Sequence, residues 1–525
     1  MSDEAPTAAL EPAPAGGPSP DESLEVKPSE DRPAEEDRAG DLARFTMAGA
    51  VVALAGIAAT IIRTKAVAVI LDVAGVGMVA AVTQLVTNAT VVSMLAGGPA
   101  LTTWIAESRR QGKPERMQVG LAASLALGLT LTGAGLVVAT VIAPWVLPDY
   151  AWGENVRIFV ALAAGGTVIS TLTGAITTSL TALGDVRSTT RHALISLSIG
   201  TPLSIGLIVL LGLRGQFLSI FATTLLAFLV GLYVLRTSAL AKDLRFGLRW
   251  DTAYAKKAVV VGTALVVTVF SRQLGYTSVR WALDRTGGAE LSAFYNGNYQ
   301  AALMIVGVYF DLFLSALFTY FAPRFAAASS AEELTTEVQA GTDFCLRLAS
   351  PVVFAAITFR LPIIHALYNV RFDLAIAMLG VMFSGDILRG VAYVHSAPLL
   401  YRGKLSTFLV SEIFFAVASI GLSVGMIRLF GPMGVAYAYV IVFVPYVLLV
   451  RFLVRRACGA SASVRSIALA FLATAGALAF TWISTLVPWV RWAAMPVALA
   501  WMWKTGALEP ILRKIRPILL RGKSA

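Results

Sequence analysis

Long, continuously apolar runs separated by short polar or basic segments make up most of this chain. From Leu42 onward the runs are about twenty residues long, the length that an α-helix needs to cross the hydrocarbon core of a membrane. They do not alternate between polar and apolar residues, so a transmembrane β-barrel is not favoured. The pattern predicts an all-α polytopic membrane protein with about fourteen transmembrane helices. They are expected at residues 43–71, 78–105, 117–146, 155–183, 192–212, 216–235, 257–283, 290–320, 343–365, 374–401, 406–428, 433–454, 466–486 and 489–506.

The apolar pattern is preceded by an acidic segment. Residues 1–41 hold twelve Asp or Glu and three Lys or Arg, and they nearly lack large apolar side chains. This composition predicts a disordered cytoplasmic tail, and no signal peptide is expected because a basic start followed by an apolar core is missing. The whole chain has a net charge of +11, so the remainder carries +20. Because the basic residues are spread over many short loops, they indicate topology signals and lipid headgroup contact rather than nucleic-acid binding.

Basic residues concentrate in alternate loops. If the N-terminus is cytoplasmic, the inside loops hold most of them, whereas the outside loops hold only a few, such as Arg214, Arg285 and Arg371. This bias predicts that both termini are cytoplasmic. The basic and apolar residues of segment 508–525 predict an amphipathic tail along the inner headgroups.

An internal repeat divides the chain. Segments 182–237 and 401–456 correspond at a constant offset in residue number. The offset superimposes glycines in the pairs Gly184 and Gly403, Gly212 and Gly431, and Gly215 and Gly434. A shorter correspondence relates 70–84 to 282–296. Two six-helix lobes of the same orientation are therefore expected, an arrangement typical of transporters whose lobes rock about a central path. An old duplication kept only for folding is the alternative.

The predicted organisation follows from these boundaries. The expected segments are an acidic tail at 1–41, an N-lobe at 42–236, a basic inter-lobe loop at 237–256, a C-lobe at 257–456, two extra helices at 457–507 and the basic tail at 508–525.

Ionisable residues inside the predicted spans are the candidate functional groups, because a charge at bilayer depth is costly unless it faces protein or a watery cavity. In the seventh helix Arg272 and Arg280 lie about 80° apart around the axis, so with Tyr276 they can share one polar face. Arginine suits phosphate because its planar fork donates two parallel hydrogen bonds and stays charged. The candidate substrate-binding residues are Arg63, Lys65, Arg272, Tyr276, Arg280, Asp311, Asp386 and Arg389.

Structural alternatives apply to several of these residues. Lys65 and Arg280 lie near enough to helix ends to reach lipid headgroups. Asp386 and Arg389 are three residues apart on one helix, so they can form a structural ion pair. For these four residues both interpretations stay open.

Catalytic chemistry finds no support in the sequence. A nucleophile with a spaced base, a phosphate-binding loop and a metal-ligand cluster are all missing. The two cysteines, Cys345 and Cys458, do not indicate a disulfide framework. We expect no catalytic residue, no metal and no cofactor; a coupling ion, if the cycle uses one, would be H⁺ or Na⁺.

Three stretches of the sequence resemble a known family. The stretches KAVAVILDVAGVGMVAAVTQL (65–85), FTYFAPRFA (318–326) and SGDILRGVAYV (384–394), in this order and spacing, resemble Wzx-type polysaccharide flippases of the MOP exporter superfamily, which act on O-antigen or lipid III. The resemblance implies a cationic central cavity and export of an undecaprenyl-pyrophosphate-linked oligosaccharide for lipopolysaccharide biosynthesis, across the bacterial cytoplasmic (inner) membrane. It also implies membrane lipids and polysaccharide polymerase or assembly proteins as partners, with the protein itself a monomer.

Three other functions remain open. A MATE-type drug/cation antiporter would want an acidic cavity in the first lobe, where only Asp72 near a helix end is available. A membrane glycosyltransferase or polymerase would want a large outer loop with carboxylates. A non-transporting scaffold would tolerate neutralised arginines.

Overall fold

The computed structural model describes residues 35–146, 156–242, 244–287 and 289–493, together with two isolated positions further on. Contacts divide the chain into two compact units, Met1–Ala50 and Val51–Ala525. Within the first unit, only the helix that begins at Glu35 is described. The predicted tail at 1–41 therefore lies largely outside the described residues, as do the segment 508–525 and most of the predicted helix 489–506.

Every regular element in the described ranges is helical, which confirms the all-α fold class. The helices are α1 Glu35–Thr90, α2 Gly98–Arg110, α3 Pro114–Val146, α4 Val156–Ala182, α5 Val186–Thr237, α6 Thr252–Asp284, α7 Ala289–Ala327, α8 Ala331–Leu367, α9 Asp373–Tyr401, α10 Leu405–Phe430, α11 Gly434–Cys458 and α12 Val464–Leu486. Short 3₁₀ turns follow α1, join α10 to α11 and follow α12. Below, α1–α5 are called the first half and α6–α12 the second half.

The described part of the chain contains eight helical stretches that are long and apolar enough to cross a membrane. Two of them, Val186–Thr237 with 52 residues and Leu405–Cys458 with 54 residues, are more than twice the length of one crossing. Each is interrupted near its middle, at Gly212 and at the turn Gly431–Met433. The protein is therefore a multi-pass membrane protein.

Several of the predicted helices differ from the observed ones. The predicted gap at 72–77 is not a loop, because α1 continues through it with a kink at Asp72, and α7 continues to Ala327, past the predicted end at 320. The predicted helix 78–105 is broken, because α1 ends at Thr90 and α2 begins only at Gly98, next to a proline. The predicted helix 343–365 starts too late, because α8 begins at Ala331. There the Ser330 side chain accepts a hydrogen bond from the Glu333 backbone, and the Glu333 carboxylate accepts from Ser329, so the first turn is capped from both sides.

The sequence repeat recurs in the backbone geometry. Gly212 and Gly431, which the repeat superimposes, have φ of 56° and 60°, a left-handed conformation that favours glycine. Three residues further on, a Cβ at Gly215 would lie 1.9 Å from the Leu207 carbonyl oxygen, and one at Gly434 would lie 2.1 Å from that of Met426. Leu207 and Met426 also correspond in the repeat. The two copies therefore turn in the same way, for the same steric reason.

Buried apolar side chains of the described residues gather into separate cores in the two halves. One cluster is built from α2–α5 together with Tyr254 and Ala258 at the start of α6. The largest is built from α6–α12 together with Ala68, Val73 and Val76 of α1. Parts of α1 and α6 thus pack against the opposite half. The candidate site residues of α6 lie nearer its carboxyl end, where Val279, Ala282 and Leu283 belong to the second-half core.

Candidate functional site

A small pocket in the second half brings together part of the predicted site. It has a volume of about 90 Å³ and lies among α6, α7, α9, α10 and α11. We call it the arginine pocket; its polar lining includes Arg272, Tyr276, Tyr299, Arg389, Tyr393 and Tyr439. Three predicted residues, Arg272, Tyr276 and Arg389, therefore line one cavity, but it lies inside the second half rather than midway between two lobes.

Asp386 and Arg389 form an ion pair beside this pocket. The Arg389 guanidinium lies 3.7 Å from the Asp386 carboxylate, and the Tyr439 hydroxyl donates to the same carboxylate at 2.6 Å. The Arg389 guanidinium also lies over the rings of Phe310 and Tyr393, at 5.0 and 5.5 Å. Both charged side chains are buried. The ion pair that the sequence left open is therefore present. Arg389 lines the arginine pocket as well.

The local sequence explains why these groups can come so close. Helix α9 is buried along almost its whole length, and it carries glycines at contact points. A Cβ at Gly385 would lie 3.1 Å from the Tyr439 ring, and one at Gly390 would lie 2.5 Å from the Cys345 sulfur. Glycine therefore lets α9 pack closely against α8 and α11, with Asp386 and Arg389 held in the core between them.

Arg280 lies near the carboxyl end of α6, outside the pocket lining. Its guanidinium donates to the Gln300 side chain and lies 5.4 Å from the centre of the Tyr299 ring. Because Tyr299 lines the arginine pocket, Arg280 contacts a residue of the pocket wall without lining the pocket itself. Near the same end, the Asp284 carboxylate accepts a hydrogen bond from Asn296 at 2.7 Å.

Lys65 and Arg63 lie away from the pocket. The Lys65 ammonium donates to the His365 carbonyl oxygen at 2.6 Å and also to that of Tyr368, at the carboxyl end of α8. Cations stabilise helix carboxyl ends because the last carbonyls lack intrahelical partners. Lys65 thus joins α1 to α8, and Arg63 is exposed on α1. Asp311 belongs to α7, but its side chain lies outside the described part of the structure.

The sequence interpretation missed Glu412 of α10. Its carboxylate accepts a hydrogen bond from the Tyr446 hydroxyl at 2.7 Å. Glu412 and Arg272 line the same small cavity, which adjoins the arginine pocket through shared residues. The acid was overlooked because it stands within the strongly apolar run of α10, although any carboxylate at such a depth signals a partner.

A second, larger cavity lies mainly in the first half. It has a volume of about 610 Å³, and its walls come from α1–α5 with one side of α6. We call it the hydroxyl cavity; its polar lining includes Thr87, Thr90, Ser124, Thr167, Ser170, Thr171, Thr178, Thr224 and Gln273. Next to it, Gln84 and Asn88 of α1 hydrogen-bond to Gln273 and Thr277 of α6, which joins the two halves.

A groove of about 760 Å³ is lined by α8 and α12. Its polar lining includes Gln339, Asp343, Arg347, Ser463, Arg465 and Ser466. Its apolar lining includes Leu346, Phe354, Leu469, Leu472 and Ala473. Because most of the polar residues precede most of the apolar ones along α8 and again along α12, the polar groups concentrate towards one end. This α8–α12 groove is shaped and charged for an amphipathic molecule.

Two carboxyl groups outside the membrane-spanning stretches have shifted pKa values. The hydrogen bond from Lys257, at 2.9 Å, together with the charge of that residue, lowers the pKa of Glu107. Burial alone would raise the pKa of Asp185, but hydrogen bonds from Ser188 and Ser238 outweigh it and lower the pKa. Among the described residues, no group of three or more His, Cys, Asp or Glu side chains could hold a metal ion.

Comparisons with solved structures identify the fold. The lipid II flippase MurJ in an inward closed conformation matches with a TM-score of 0.61 at 12% identity, over 90% of this chain and 99% of that chain. An inward-facing multidrug resistance MATE transporter matches with a TM-score of 0.56 at 16% identity, over 76% and 94%. A MOP superfamily transporter from Pyrococcus furiosus, described as having a binding pocket of reverse polarity, gives 0.55 at 17% identity, over 81% and 94%.

These likenesses confirm that the chain has the fold of the MOP superfamily. No family model matches the sequence, and no curated protein matches it either.

Proposed function

We propose that the protein is a flippase that moves a polyprenyl-pyrophosphate-linked oligosaccharide from the inner to the outer leaflet by alternating access. Both termini would be cytoplasmic in the bacterial inner membrane, and the product would supply cell-surface polysaccharide. The observation that carries the proposal is the arginine pocket, where Arg272 and Arg389 line one cavity with several tyrosines.

The pocket fits a phosphate group. Guanidinium groups stay charged and donate paired hydrogen bonds to phosphate oxygens, and tyrosine hydroxyls can donate further ones. A volume of about 90 Å³ holds a few water molecules, which is enough for a phosphate and too little for a sugar chain. Each arginine also has a carboxylate in its surroundings: Arg389 pairs with Asp386, and Glu412 lines the same small cavity as Arg272.

The α8–α12 groove fits the lipid part of the same substrate. Leu469, Leu472 and Phe354 offer an apolar surface for a polyprenyl chain. At the polar end stand Arg347 and Arg465 together with Asp343, whose carboxylate accepts a hydrogen bond from Ser466. An ionic headgroup would meet the arginines while the chain stayed in an apolar environment. A substrate that is part lipid and part anion would therefore meet matching chemistry at two places in the second half.

The structural neighbours support a transporter of this class. One is named a lipid II flippase and another a multidrug resistance transporter. The drug/cation antiporter remains the second candidate on that fold. It would require a carboxylate in the large cavity, whereas the described residues that line the hydroxyl cavity contain none. A flippase would use the arginine pocket to bind the pyrophosphate, whereas a drug/cation antiporter gives this pocket no role.

A reconstitution experiment separates these functions. The protein is placed in lipid vesicles, and leaflet exchange is measured for a fluorescent polyprenyl-pyrophosphate saccharide and for a fluorescent phosphatidylcholine, while uptake of ethidium is followed in parallel. We expect at least tenfold faster exchange of the pyrophosphate lipid than in protein-free vesicles, with no effect on the phosphatidylcholine. Ethidium transport without lipid exchange would favour the antiporter instead.

A further inference from the structure

The hydroxyl cavity has chemistry opposite to that of the arginine pocket. Among the described residues that line it, none is ionisable, and Ser, Thr and Gly predominate. An anion would find no cation there, whereas an uncharged molecule with hydroxyl groups would find hydrogen-bonding partners among the Ser and Thr side chains. The cavity therefore suits a ligand that is polar and uncharged.

The hydrogen bonds of the lining hydroxyls further restrict the kind of ligand that the hydroxyl cavity suits. The lining hydroxyls donate their protons to helix carbonyls: Thr90 to Val86 at 2.8 Å, Ser124 to Ala96 at 2.7 Å, Thr167 to Ala163 at 2.9 Å, Thr171 to Thr167 at 3.0 Å and Thr224 to Ile220 at 2.9 Å. A hydroxyl has one proton and two acceptor lone pairs. In these five residues the proton is engaged, so the hydroxyl oxygen keeps only its capacity to accept. The walls thus favour a ligand that carries many O–H donors.

The shape of the cavity also matches a polyol. Glycines replace larger side chains at Gly97, Gly166 and Gly174, and a Cβ at Gly97 or Gly174 would meet nothing within 4 Å. The resulting volume of about 610 Å³ is in the range of ligand sites in proteins.

Helix α6 places this cavity next to the arginine pocket. Arg272 lines the pocket and Gln273 lines the hydroxyl cavity. Consecutive residues point about 100° apart on a helix, so α6 presents one face to each site. The two sites are therefore neighbours across α6.

We propose that the hydroxyl cavity binds the uncharged saccharide portion of the transported lipid. This inference rests on the proposed function, because it assigns the part of that substrate which the arginine pocket is too small to hold. It predicts a preference for neutral sugars over acidic ones.

Thiol protection tests the assignment. In a Cys345→Ala and Cys458→Ala background, Thr178→Cys on the cavity wall is labelled by a small water-soluble thiol reagent. Protection is measured with a polyprenyl-pyrophosphate tetrasaccharide, with sugar-free polyprenyl pyrophosphate and with ethidium. Gly174→Leu is the cavity-filling variant. Gly206→Leu is its control, because a Cβ at Gly206 in α5 also meets nothing within 4 Å and the residue lines none of the cavities described here.

We expect the tetrasaccharide lipid to slow labelling at least tenfold, the other probes to have no effect, and Gly174→Leu but not Gly206→Leu to abolish the protection. Equal protection by sugar-free lipid, protection by ethidium alone, or full protection in Gly174→Leu would overturn the assignment. A thiol that never reacts, or that reacts equally with and without the tetrasaccharide lipid, would overturn it too.

Leaflet exchange is measured on the same samples. Protection without exchange would contradict the proposed flippase and leave the sugar site standing. Exchange without protection would contradict only the sugar site.

Discussion

Arg371, in the turn between α8 and α9, forms an ion pair with Asp72, which lies at the kink of α1 and is distant in sequence. Asp72 has φ of 58° and ψ of −174°, a backbone conformation that is rare for residues other than glycine. Close by, the Asn369 side chain donates to the Ala68 carbonyl oxygen at 2.9 Å, and Lys65 donates to carbonyls of α8. In the proposed alternating-access cycle, with the N-terminus cytoplasmic, these contacts would lie on the outer side and would have to separate.

The ion pair itself contributes little to stability. Both side chains are partly exposed, and exposed pairs are typically worth about 0.2–1 kcal/mol. A double-mutant cycle with Asp72→Asn and Arg371→Gln should give a coupling energy in that range, measured from unfolding in detergent. A coupling energy well above that range would contradict the view that this contact is weak enough to open in each cycle.

The repeated turn depends on glycine for steric reasons. Gly434→Ala would place a Cβ 2.1 Å from the Met426 carbonyl oxygen, and forced overpacking usually costs about 1–3 kcal/mol. We expect a clearly lower melting temperature for Gly434→Ala. Gly421→Ala is the control in α10, because its Cβ meets nothing within 4 Å. Equal stability of the two variants would show that the turn relaxes.

Asp185 makes stability depend on pH below about 4. Its pKa is lowered in the folded protein, so its contribution is fully present above the unfolded pKa of about 3.9 and is lost as the pH falls through the lower folded pKa. Asp185→Asn keeps an N-cap residue for α5 but cannot titrate. We expect wild type to lose more stability than this variant between pH 5 and roughly pH 2; parallel pH profiles would refute the assignment.

The α8–α12 groove should matter for long lipid chains. A Cβ at Gly476, which lines the groove, meets nothing within 4 Å, so Gly476→Leu fills space without displacing neighbours. We expect this variant to slow exchange of a long polyprenyl-pyrophosphate saccharide several-fold. Exchange of a short-chain analogue should be unchanged. Equal slowing of both lipids would assign the groove a structural role.

Periodicity and glycine placement were sufficient to predict the helical fold and the repeat. The match of Gly212 with Gly431 in sequence reappears as the same backbone conformation. The break at 91–97 was missed, although Gly97, Gly98 and Pro99 signal it in the sequence. Local sequence determines such features, so they are open to prediction.

Features that depend on tertiary contacts were harder to predict. No sequence feature reveals that the carbonyls of His365 and Tyr368 lie beside Lys65, so its contact with α8 was not predicted. Glu412 was overlooked inside an apolar run. The hydroxyl cavity did leave a signal on α4, where lining residues recur at helical spacing at Thr167, Ser170, Thr171, Gly174 and Thr178.

The proposed flippase is tested most directly by replacing Arg272 and measuring leaflet exchange of a polyprenyl-pyrophosphate saccharide in vesicles. A hydrogen bond to a charged group is worth about 1.5–3 kcal/mol, so Arg272→Ala should slow exchange roughly 10- to 100-fold, and Arg272→Lys should recover part of the rate. Arg428→Ala, an exposed arginine of α10 outside the described cavities, should exchange like wild type. Exchange in Arg272→Ala at the wild-type rate would contradict the account.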